Sequence, residues 1–492
     1  MKHIAFDLGA ESGRAIVGEV VNNKLQMEEL HRFPTKGIKV NGSLRWDIYR
    51  LYSEIITGLM RYVKKYGQEI CSIGIDTWGV DFAFLDSNGK LISIPYHYRD
   101  KKNLGTSAII EEAIGLEKLY TLTGTQQMEF NTLNQIIAAN QNNDKTLDIA
   151  DKLLFISDIL HYFLSGVVKN EFTVATTSNM YNPVVGEWSE EVFDAFNISK
   201  KMQADIAHPG EVLGNISKDI ALEIGLNPDC KIVLPPAHDT ASAVVAAPGF
   251  GDNVAFLSSG TWSIAGIEMD EVTINSKARD NNISNGGGAF NKNIFLKNIM
   301  GLWIIQQCRK AWLKYNPDLS YADIVELAKE ASPFYAYINP DDKRFLNPSN
   351  MSYEICEHIK ETQEIELSTD DIGQIARIVF ESLALKYKYV IKLLSVISNI
   401  EISQLNIIGG GIQNKMLTQF TSNALGKKVV AGPIEATAVG NILTQAYGLG
   451  EISSLLELRQ IVKNTFAPIE YFPDNTQTWE DKYREFCKIF NL

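Results

Sequence analysis

Two segments of the 492-residue chain, at positions 4–19 and 254–268, share one pattern. Each consists of an apolar run, a turn of glycine and small polar residues, and a second apolar run of similar length. This pattern is typical of a β-hairpin whose turn contains Gly, Ser or Thr. Two similar hairpins so far apart in one chain predict a duplicated domain, with one hairpin at the beginning of each half.

Strand-like and helical patterns alternate between and after the hairpins. Residues 51–66 have apolar side chains at helical spacing, whereas 72–76 and 80–85 are strand-like and are followed by a turn at 86–89. The further predicted strands are 231–234 and 404–408, and the further predicted helices are 240–247, 299–313 and 372–396. Alternating strands and helices predict α/β layers.

The length of the chain predicts more than one domain, because a single hydrophobic core seldom supports so many residues. Together with the α/β pattern, it favours two α/β domains joined near residues 243–252. We expect an N-terminal domain over 1–242, a C-terminal domain over 243–455, and a tail over 456–492 that packs on the core.

Charge and cysteine content argue against several classes of protein. The chain has 46 Lys and Arg against 59 Asp and Glu, a net charge of −13 without long like-charge runs. Since no basic stripe stands out, a nucleic-acid partner is not expected. The five cysteines include no CxxC pair, so neither a zinc site nor a redox dithiol is indicated. The N-terminus runs directly into a strand-like segment and no apolar stretch matches a membrane span, so we expect a cytoplasmic protein.

The turn of the first hairpin, residues 7–14, suits a phosphate group. Its glycines let backbone N–H groups approach closely, Ser12 adds a donor, and Arg14 adds a positive charge. Asp7, at the end of a strand, is well placed to hold a hydrated Mg²⁺. The turn at 258–261 repeats this chemistry in the second half. A tight hairpin without a ligand is the alternative for the first turn, which matches neither a P-loop nor a GxGxxG that opens a helix.

Three other segments contain residues that suit a sugar or a nucleotide. Asp239 stands between a strand and a helix, where its carboxylate could accept a proton from a substrate hydroxyl, with a helix N-cap as the alternative. The segment 77–81 combines Trp, Gly and Asp, which suits a sugar, although Trp78 would equally fit a core. Three adjacent glycines at 409–411 carry an entropic cost, which favours close approach of a planar ligand such as adenine; a plain loop is the alternative.

With these residues in view, the sequence resembles the FGGY family of carbohydrate kinases. The matching segments follow the family's order and cover nearly the whole chain: 7–14, 74–82, 130–133, 238–243, 257–263, 297–303 and 409–414. The resemblance implies two ribonuclease H-like α/β domains of the actin–hexokinase superfamily, with the active site in the cleft between them. It also implies that the N-terminal domain binds the sugar and the C-terminal domain binds the nucleotide.

The resemblance assigns roles to individual residues. Asp239 matches the family's proton acceptor, and Asp7 as the Mg²⁺ residue is a looser inference from the superfamily. The residues implied for ATP are Ala10, Glu11, Ser12, Gly13, Arg14, Thr261, Gln306, Gly409, Gly410 and Gly411. The residues implied for the sugar are Gly79, His238, Asp239, Thr240 and Asn298. The chain departs from the family pattern at Glu11, where a small polar residue is common, and at Ala237, where serine is common.

The implied reaction is in-line transfer of the γ-phosphoryl group of Mg-ATP to the C1 hydroxyl of a small sugar, a 6-deoxy-ketohexose. L-rhamnulose is favoured over L-fuculose, and other ketoses such as xylulose or ribulose come next. A non-catalytic protein that senses sugar or ATP is the remote alternative, and the intact Asp7 and Asp239 argue against it. A Rossmann-type dehydrogenase is excluded because a hairpin, and not a helix, follows Gly9.

Overall fold

A computed structural model describes residues 1–249, 251 and 253–492 of the chain. The predicted domain junction near 243–252 includes residues 250 and 252, which lie outside the described residues. The strands, in chain order, are β1 (Lys2–Leu8), β2 (Ser12–Val21), β3 (Lys24–Pro34), β4 (Ile38–Val40), β5 (Ser43–Arg45), β6 (Ser72–Thr77), β7 (Phe82–Leu85), β8 (Lys152–Phe155), β9 (Asn170–Glu171), β10 (Tyr181–Asn182), β11 (Glu187–Trp188), β12 (Ile206–Ala207), β13 (Val212–Asn215), β14 (Lys231–Val233), β15 (Val254–Ser259), β16 (Trp262–Met269), β17 (Ser284–Gly287), β18 (Asn293–Met300), β19 (Gln404–Ile408), β20 (Lys428–Ala431) and β21 (Ile469–Tyr471).

Helices fill most of the chain between these strands. In chain order they are α1 (Ile48–Tyr66), α2 (Thr106–Ala113), α3 (Leu116–Thr123), α4 (Thr132–Gln141), α5 (Thr146–Ile149), α6 (Ile156–Ser165), α7 (Phe172–Ala175), α8 (Glu190–Ala195), α9 (Lys218–Ile224), α10 (Asp239–Val245), α11 (Ser276–Asp280), α12 (Trp303–Trp312), α13 (Tyr321–Glu330), α14 (Met351–Gln363), α15 (Ile372–Ser398), α16 (Lys415–Leu425), α17 (Ala436–Gly448), α18 (Leu455–Phe466) and α19 (Thr476–Phe490). Short 3₁₀ turns are Lys101–Asn103, Lys200–Met202, Lys343–Phe345 and Gly410–Gln413.

The chain packs into two compact units. The first unit consists of Met1–Ala246, Glu268–Phe295 and Ala436–Thr465, and the second consists of Ala247–Ile267, Leu296–Glu435 and Phe466–Leu492. The last 27 residues of the chain, from 466 to 492, therefore belong to the second unit. The sequence bounds 1–242, 243–455 and 456–492 stay a prediction of where each domain begins and ends.

The first unit is built on a six-stranded sheet in the order β13-β14-β6-β1-β2-β3. β1, β2 and β3 are antiparallel neighbours, whereas β6 runs parallel to β1 and β14 runs parallel to β6. Apolar residues of β1 and β6 form one buried cluster with α1 and α6. Helix α17 packs on the same two strands.

A second sheet has the order β17-β18-β16-β15-β19-β20-β21. β15 pairs antiparallel with β16 and parallel with β19, as β1 pairs antiparallel with β2 and parallel with β6. Both predicted hairpins are therefore confirmed, and the pairing pattern around them is repeated. Over residues 1–249, 251 and 253–492, no helix has the length and apolar character needed to cross a membrane.

Candidate active site

The turn between β1 and β2 is a short loop held by backbone hydrogen bonds. The two strands pair as far as Leu8 and Gly13, which leaves 9–12 as the turn. Thr35, the residue after β3, donates its N–H to the carbonyl of Glu11 at 3.1 Å. The Glu11 side chain is exposed to solvent, so its charge is not buried among the residues predicted to contact phosphate.

Asp7 and Arg14 face each other across this hairpin. They are register partners in β1 and β2, and Arg14 Nη2 donates to Asp7 Oδ2 at 2.8 Å. The Asp7 side chain is buried at 5% exposure, whereas 21% of the Arg14 side chain is exposed. Because a charge-assisted hydrogen bond of this kind is strong and directional, Arg14 fixes the orientation of the carboxylate predicted for Mg²⁺.

A second carboxylate, that of Asp76, lies beside Asp7 on the neighbouring strand. Asp7 and Asp76 are register partners in the parallel pair β1–β6, so their side chains leave the sheet on the same face. Asp76 is fully buried, and its Oδ2 accepts a hydrogen bond from Asn441 Nδ2 at 2.6 Å. Its Oδ1 is buried and has no hydrogen-bond partner among the described residues. Burial raises the pKa of Asp76 well above its usual range, and the carboxylates of Asp7 and Asp239 raise it further.

Three of the predicted sugar residues stand together at the beginning of α10. His238 is the N-cap, and its Nδ1 accepts from the N–H of Thr240 at 3.2 Å. Asp239 is the first helical residue, and its Oδ1 accepts from the same N–H at 2.6 Å. Asp239 is therefore not the N-cap itself, and 36% of its side chain remains exposed. Burial lowers the pKa of His238, so its imidazole is neutral near pH 7 although the Asp239 carboxylate opposes this effect.

Gly79, a further predicted sugar residue, packs directly against His238. The N–H of Thr77 donates to the carbonyl of Ala237 at 2.8 Å, which joins the end of β6 to the segment that leads into α10. A Cβ added at Gly79 would lie 2.8 Å from His238 Cδ2 and 3.0 Å from the Thr177 side chain. The loop approaches the imidazole so closely because position 79 has no side chain.

The residue after Gly79 is held in a strained backbone conformation. Val80 has a φ of 65°, in the left-handed region that is costly for a β-branched residue. Its N–H donates to Thr177 Oγ1 at 3.0 Å, and its carbonyl accepts from Thr132 Oγ1 at 2.7 Å. Strain of this kind persists only where the surroundings hold it, and here it shapes a loop predicted to contact the sugar.

The carboxylate of Asp81 supports this loop from inside the core. Its Oδ2 accepts from the indole N–H groups of Trp46 at 2.6 Å and Trp78 at 3.0 Å, and its Oδ1 accepts from Gln135 Nε2 at 2.8 Å. Burial raises the pKa of Asp81 to about 6, and these hydrogen bonds oppose the rise. Trp78 is 7% exposed and belongs to the apolar cluster of the first unit, so it serves the core.

In the second unit, Thr261 and Gln306 lie together. The hairpin β15–β16 pairs as far as Ser259 and Ser263, which leaves Thr261 in its turn. Thr261 Oγ1 donates to Gln306 Oε1 at 3.3 Å, and Trp303 at the start of α12 donates its N–H to the carbonyl of Thr261 at 3.0 Å. Two residues predicted for ATP, distant by 45 positions, are thus neighbours.

The three glycines at 409–411 follow β19, whose last residue pairs with Ser258 of β15. Gly409 has a φ of 88°, and a Cβ there would lie 3.0 Å from the carbonyl oxygen of Ser259. A Cβ at Gly411 would collide with the Ser259 side chain, whereas one at Gly410 would meet nothing within 4 Å. Packing against the second hairpin therefore requires two of the glycines, and Gly410 faces open space.

Asn298 differs from the other predicted sugar residues because it belongs to the second unit. It is half-buried in β18, and this strand leads through Gly301 into α12, which carries Gln306. A Cβ at Gly301 would lie 2.5 Å from Ser263 Oγ, so the turn between strand and helix packs tightly on the second hairpin.

The described part of the chain contains no cluster of three or more His, Cys, Asp or Glu residues that could hold a metal ion. A nucleotide-bound Mg²⁺ needs less from the protein, because it usually takes one or two carboxylates together with waters and phosphate oxygens. Asp7 and Asp76 are adjacent carboxylates, and Oδ1 of Asp76 is buried without a partner. The residues present therefore fit a hydrated Mg²⁺.

The sequence analysis assigned no role to Asp76 or to its partner Asn441. Asp76 lies within the family-like segment 74–82, and Asn441 lies far along the chain in α17. The available signal was polarity at regular spacing: Ser72 and Asp76 stand on the same side of an otherwise apolar strand, and Asn441 and Gln445 stand four residues apart in a largely apolar helix.

The chain has a two-domain α/β fold that it shares with a solved sugar kinase. The solved structure of ligand-bound xylulose kinase from Lactobacillus acidophilus matches with a TM-score of 0.82, covering 100% of this chain and 98% of that chain. The identity is 16%, so this likeness concerns the fold alone. The predicted two-domain α/β fold is confirmed.

The family follows from the sequence as a whole. The model of the FGGY carbohydrate kinase N-terminal domain matches residues 3–246, and that of the C-terminal domain matches residues 255–449. The chain belongs to the FGGY family of carbohydrate kinases, which confirms the resemblance.

Individual relatives match over nearly their full length. The rhamnulokinase of Bacteroides thetaiotaomicron is 39% identical over 482 residues, 98% of this chain and 98% of that protein. The rhamnulokinase of Halalkalibacterium halodurans is 40% identical over 470 residues, 95% of this chain and 98% of that protein.

Proposed function

We propose that this kinase transfers the γ-phosphoryl group of ATP to the C1 hydroxyl of L-rhamnulose, giving L-rhamnulose 1-phosphate and ADP. The choice of sugar is supported by two relatives named rhamnulokinase, which are 39% and 40% identical over nearly the whole chain. The observation that carries the chemistry is the carboxylate of Asp239, which is fixed at the start of α10 and remains 36% exposed. Since the reaction consumes ATP, we infer that it takes place in the cytoplasm.

Asp239 is the general base of this proposal. The hydrogen bonds that hold it, among the described residues, use Oδ1 and the N–H and hydroxyl of Thr240. Oδ2 is therefore the oxygen that accepts the proton from the sugar hydroxyl as the phosphoryl group arrives. Because phosphoryl transfer depends on positioning and charge neutralisation, the main task of Asp239 is to orient the hydroxyl for in-line attack.

The sugar contacts are assigned to Gly79, His238, Thr240 and Asn298. The first unit supports this assignment, because Gly79 packs against His238 and His238 directly precedes the general base. A neutral His238, whose pKa burial lowers and whose Nδ1 already accepts from Thr240, has its proton on Nε2 and can donate one hydrogen bond to a sugar hydroxyl without adding charge. Hydrogen bonds to the backbone of Val80 and to the buried carboxylate of Asp81 hold the Gly79 loop in place.

ATP is assigned to residues of both hairpin turns. In the first unit these are Ala10 to Arg14, where backbone N–H groups and the partly exposed Arg14 suit phosphate oxygens. In the second unit, the neighbours Thr261 and Gln306 and the open side of Gly410 suit the nucleotide. Asp7 is assigned to Mg²⁺, which when bound would neutralise charge on the phosphates.

L-fuculose is the principal alternative sugar, because it shares the 6-deoxy-ketohexose skeleton and differs only in stereochemistry. The test is sugar-dependent ADP release from the full-length protein with Mg-ATP and L-rhamnulose, L-fuculose, D-xylulose, L-ribulose or glycerol. We expect kcat/KM to be highest for L-rhamnulose. A preference for another sugar would overturn the choice of substrate, and ADP release that no sugar stimulates would overturn the kinase reaction.

The base is tested by Asp239→Asn, which keeps the shape of the side chain and removes its proton affinity. We expect kcat to fall by at least about 100-fold, as loss of a general base usually costs. Asp219→Asn is the matched control, because Asp219 is an exposed acidic residue in the first turn of another helix of the same unit, α9. Near-normal turnover by folded Asp239→Asn would overturn the assignment.

A further inference from the structure

One face of the first sheet carries polar groups that the roles assigned above do not use. Ser72, Gly74 and Asp76 stand on this face, because side chains alternate along β6. Helix α17 packs over β1 and β6. It presents Asn441 and Gln445, which are four residues apart and therefore on one side of the helix. An interface between a helix and a sheet usually buries apolar side chains, so a row of buried polar side chains at this interface needs an explanation.

The polar groups form one continuous chain of hydrogen bonds. Asn441 Nδ2 donates to Asp76 Oδ2 at 2.6 Å, and Gln445 Nε2 donates to Asn441 Oδ1 at 2.6 Å. Ser72 Oγ donates to Gln445 Oε1 at 2.7 Å, and Nδ1 of His3 lies 2.7 Å from the same Ser72 oxygen. Each of these four contacts is short enough for a hydrogen bond, so the amide of Asn441 cannot rotate without breaking the chain.

Gly74 provides the space for this arrangement. A Cβ at position 74 would lie 2.7 Å from Asn441 Oδ1 and 2.8 Å from Gln445 Nε2. Gln445 Nε2 also donates to the carbonyl of Ile4 in β1 at 3.0 Å, so the helix is fastened to both central strands. The two amides therefore reach the sheet backbone only because residue 74 has no side chain.

The chain of hydrogen bonds ends at a carboxylate with one free oxygen. Asn441 occupies Oδ2 of Asp76, while Oδ1 is buried and unpartnered within the part of the chain that the structure describes. A buried carboxylate oxygen without a partner is costly, and a cation or a cation-bound water removes that cost. Asp7, the residue assigned to Mg²⁺, is the register partner of Asp76 on the same face.

We propose that Asp76 is the second carboxylate of the divalent-cation site and that Asn441 is its positioning residue. This inference rests on the proposed function, in which Asp7 holds the metal of Mg-ATP. By occupying Oδ2, Asn441 fixes the plane of the Asp76 carboxylate and leaves Oδ1 as the oxygen that no described residue engages. Outer partners that orient metal-binding carboxylates are typically worth 10–100-fold in metal affinity or activity.

The polar chain positions Asp76 and does not conduct protons. Asn441 and Gln445 are amides, which neither gain nor lose a proton near neutral pH, so a relay from His3 to Asp76 is interrupted at two links. Positioning also agrees with the short distances and the close fit at Gly74, which would be unnecessary in a loose, wetted path.

The experiment measures binding of Mn²⁺ with ADP to the full-length protein, from the EPR signal of free aqueous Mn²⁺. We expect Asp76→Asn and Asn441→Leu each to weaken Mn²⁺ binding by about 10–100-fold. Binding of ADP without metal, measured by calorimetry, should change less than about threefold. Thr444→Val is the matched control, because the buried Thr444 hydroxyl on the same helix has no hydrogen-bond partner in residues 1–249, 251 and 253–492, and the substitution preserves the shape of the side chain. It should leave both affinities unchanged.

A double-mutant cycle separates positioning from a general structural role. If Asn441 acts through Asp76, the double variant should bind Mn²⁺ no more weakly than Asp76→Asn alone. Should Asn441→Leu fail to fold, Asn441→Ser replaces it, because serine removes the contact to Asp76 with a smaller and polar side chain. Unfolding midpoints confirm that each variant compared is folded.

Asp7→Asn distinguishes failure of this inference from failure of the proposed function. If Asp7→Asn loses Mn²⁺ affinity while folded Asp76→Asn binds it like the wild type, the role of Asp76 is refuted and the Mg²⁺ assignment stands. If Asp7→Asn also binds normally, the Mg²⁺ assignment itself is refuted. Wild-type Mn²⁺ affinity in a folded Asn441 variant, with weak binding by Asp76→Asn, would refute the positioning role alone.

Discussion

Replacing Gly440 by alanine should damage both stability and catalysis, although alanine is the better helix former. Gly440 lies in α17 where this helix meets α10 backbone to backbone. A Cβ at position 440 would overlap the carbonyl oxygen of Ser242 and lie 2.7 Å from its carbonyl carbon. The hydroxyl of Ser242 also donates to the carbonyl of Thr437 at 2.9 Å, which ties the two helices together at the same point.

The magnitude follows from two opposing effects. Glycine to alanine in a helix gains about 1 kcal/mol of helix propensity. Against this, overpacking a tight contact costs about 1–3 kcal/mol, and here the obstacle is backbone that cannot rotate away. Since both helices are buried at this point, the cost should lie near the upper end, for a net loss of about 2 kcal/mol in the free energy of unfolding.

Catalysis should suffer because α10 begins at Asp239, one turn before Ser242. Relief of the overlap requires the helices to separate by roughly 1 Å, and a misplacement of this size can cost on the order of 100-fold in rate. Urea unfolding and kcat at saturating ATP and sugar measure the two effects, with Thr444→Val as the control on the same helix. A Gly440→Ala protein with the wild-type urea midpoint and kcat within twofold would refute the close contact between α10 and α17.

Three other perturbations give distinct readouts. Gln306→Leu removes the acceptor for Thr261, so KM for ATP should rise about tenfold while KM for the sugar stays constant, and an equal rise in both would contradict a nucleotide-specific role. Arg14→Gln removes the cation beside Asp7, so KM for ATP should also rise about tenfold. An unchanged KM for ATP at low salt would contradict a role of Arg14 in binding the phosphates. Burial raises the pKa of Glu171 to about 7, so the folded state holds this proton more tightly than the unfolded chain and stability falls as pH rises from about 4 to 7. Glu171→Gln abolishes this titration, so between pH 5 and 8 the unfolding free energy of the variant should rise relative to that of the wild type by about 2.5 kcal/mol, and a pH-independent difference would refute the buried, proton-holding state.

Much of the fold could be predicted from local pattern. The helix expected at 372–396 is α15, Ile372–Ser398, because its apolar periodicity and its Asp371 N-cap act within the segment itself. The helix expected at 299–313 begins later, at Trp303, since residues up to Met300 belong to β18. The apolar residues there fit either element, and the turn at Gly301 is set by packing on Ser263, which a local pattern does not contain.

The arrangement of the candidate site could not be predicted in this way, because it depends on contacts between residues that are far apart in the sequence. The proximity of Thr261 to Gln306, or of Gly79 to His238, follows from strand order and from glycine contacts that sequence spacing does not reveal. The triple glycine at 409–411 has a packing role that the residue type alone did not reveal. Two of its glycines make room for Ser259, and the contact of all three with ATP stays a prediction.

The composition of the two compact units explains why the sequence analysis assigned no role to Asn441. α17 belongs to the first unit although it follows nearly all of the second unit's residues, so its partners Asp76 and Ser242 precede it by 365 and about 200 positions. Two glycines, Gly74 and Gly440, each make room for one of these partnerships, since a single methyl group at either position would separate the helix from its partner. Because α17 touches both the strand that carries Asp76 and the helix that begins at Asp239, a methyl group at either glycine should disturb one carboxylate more than the other. Gly74→Ala should mainly weaken Mn²⁺ binding, whereas Gly440→Ala should mainly lower kcat, and identical effects of both variants on both quantities would show that α17 acts only as general support.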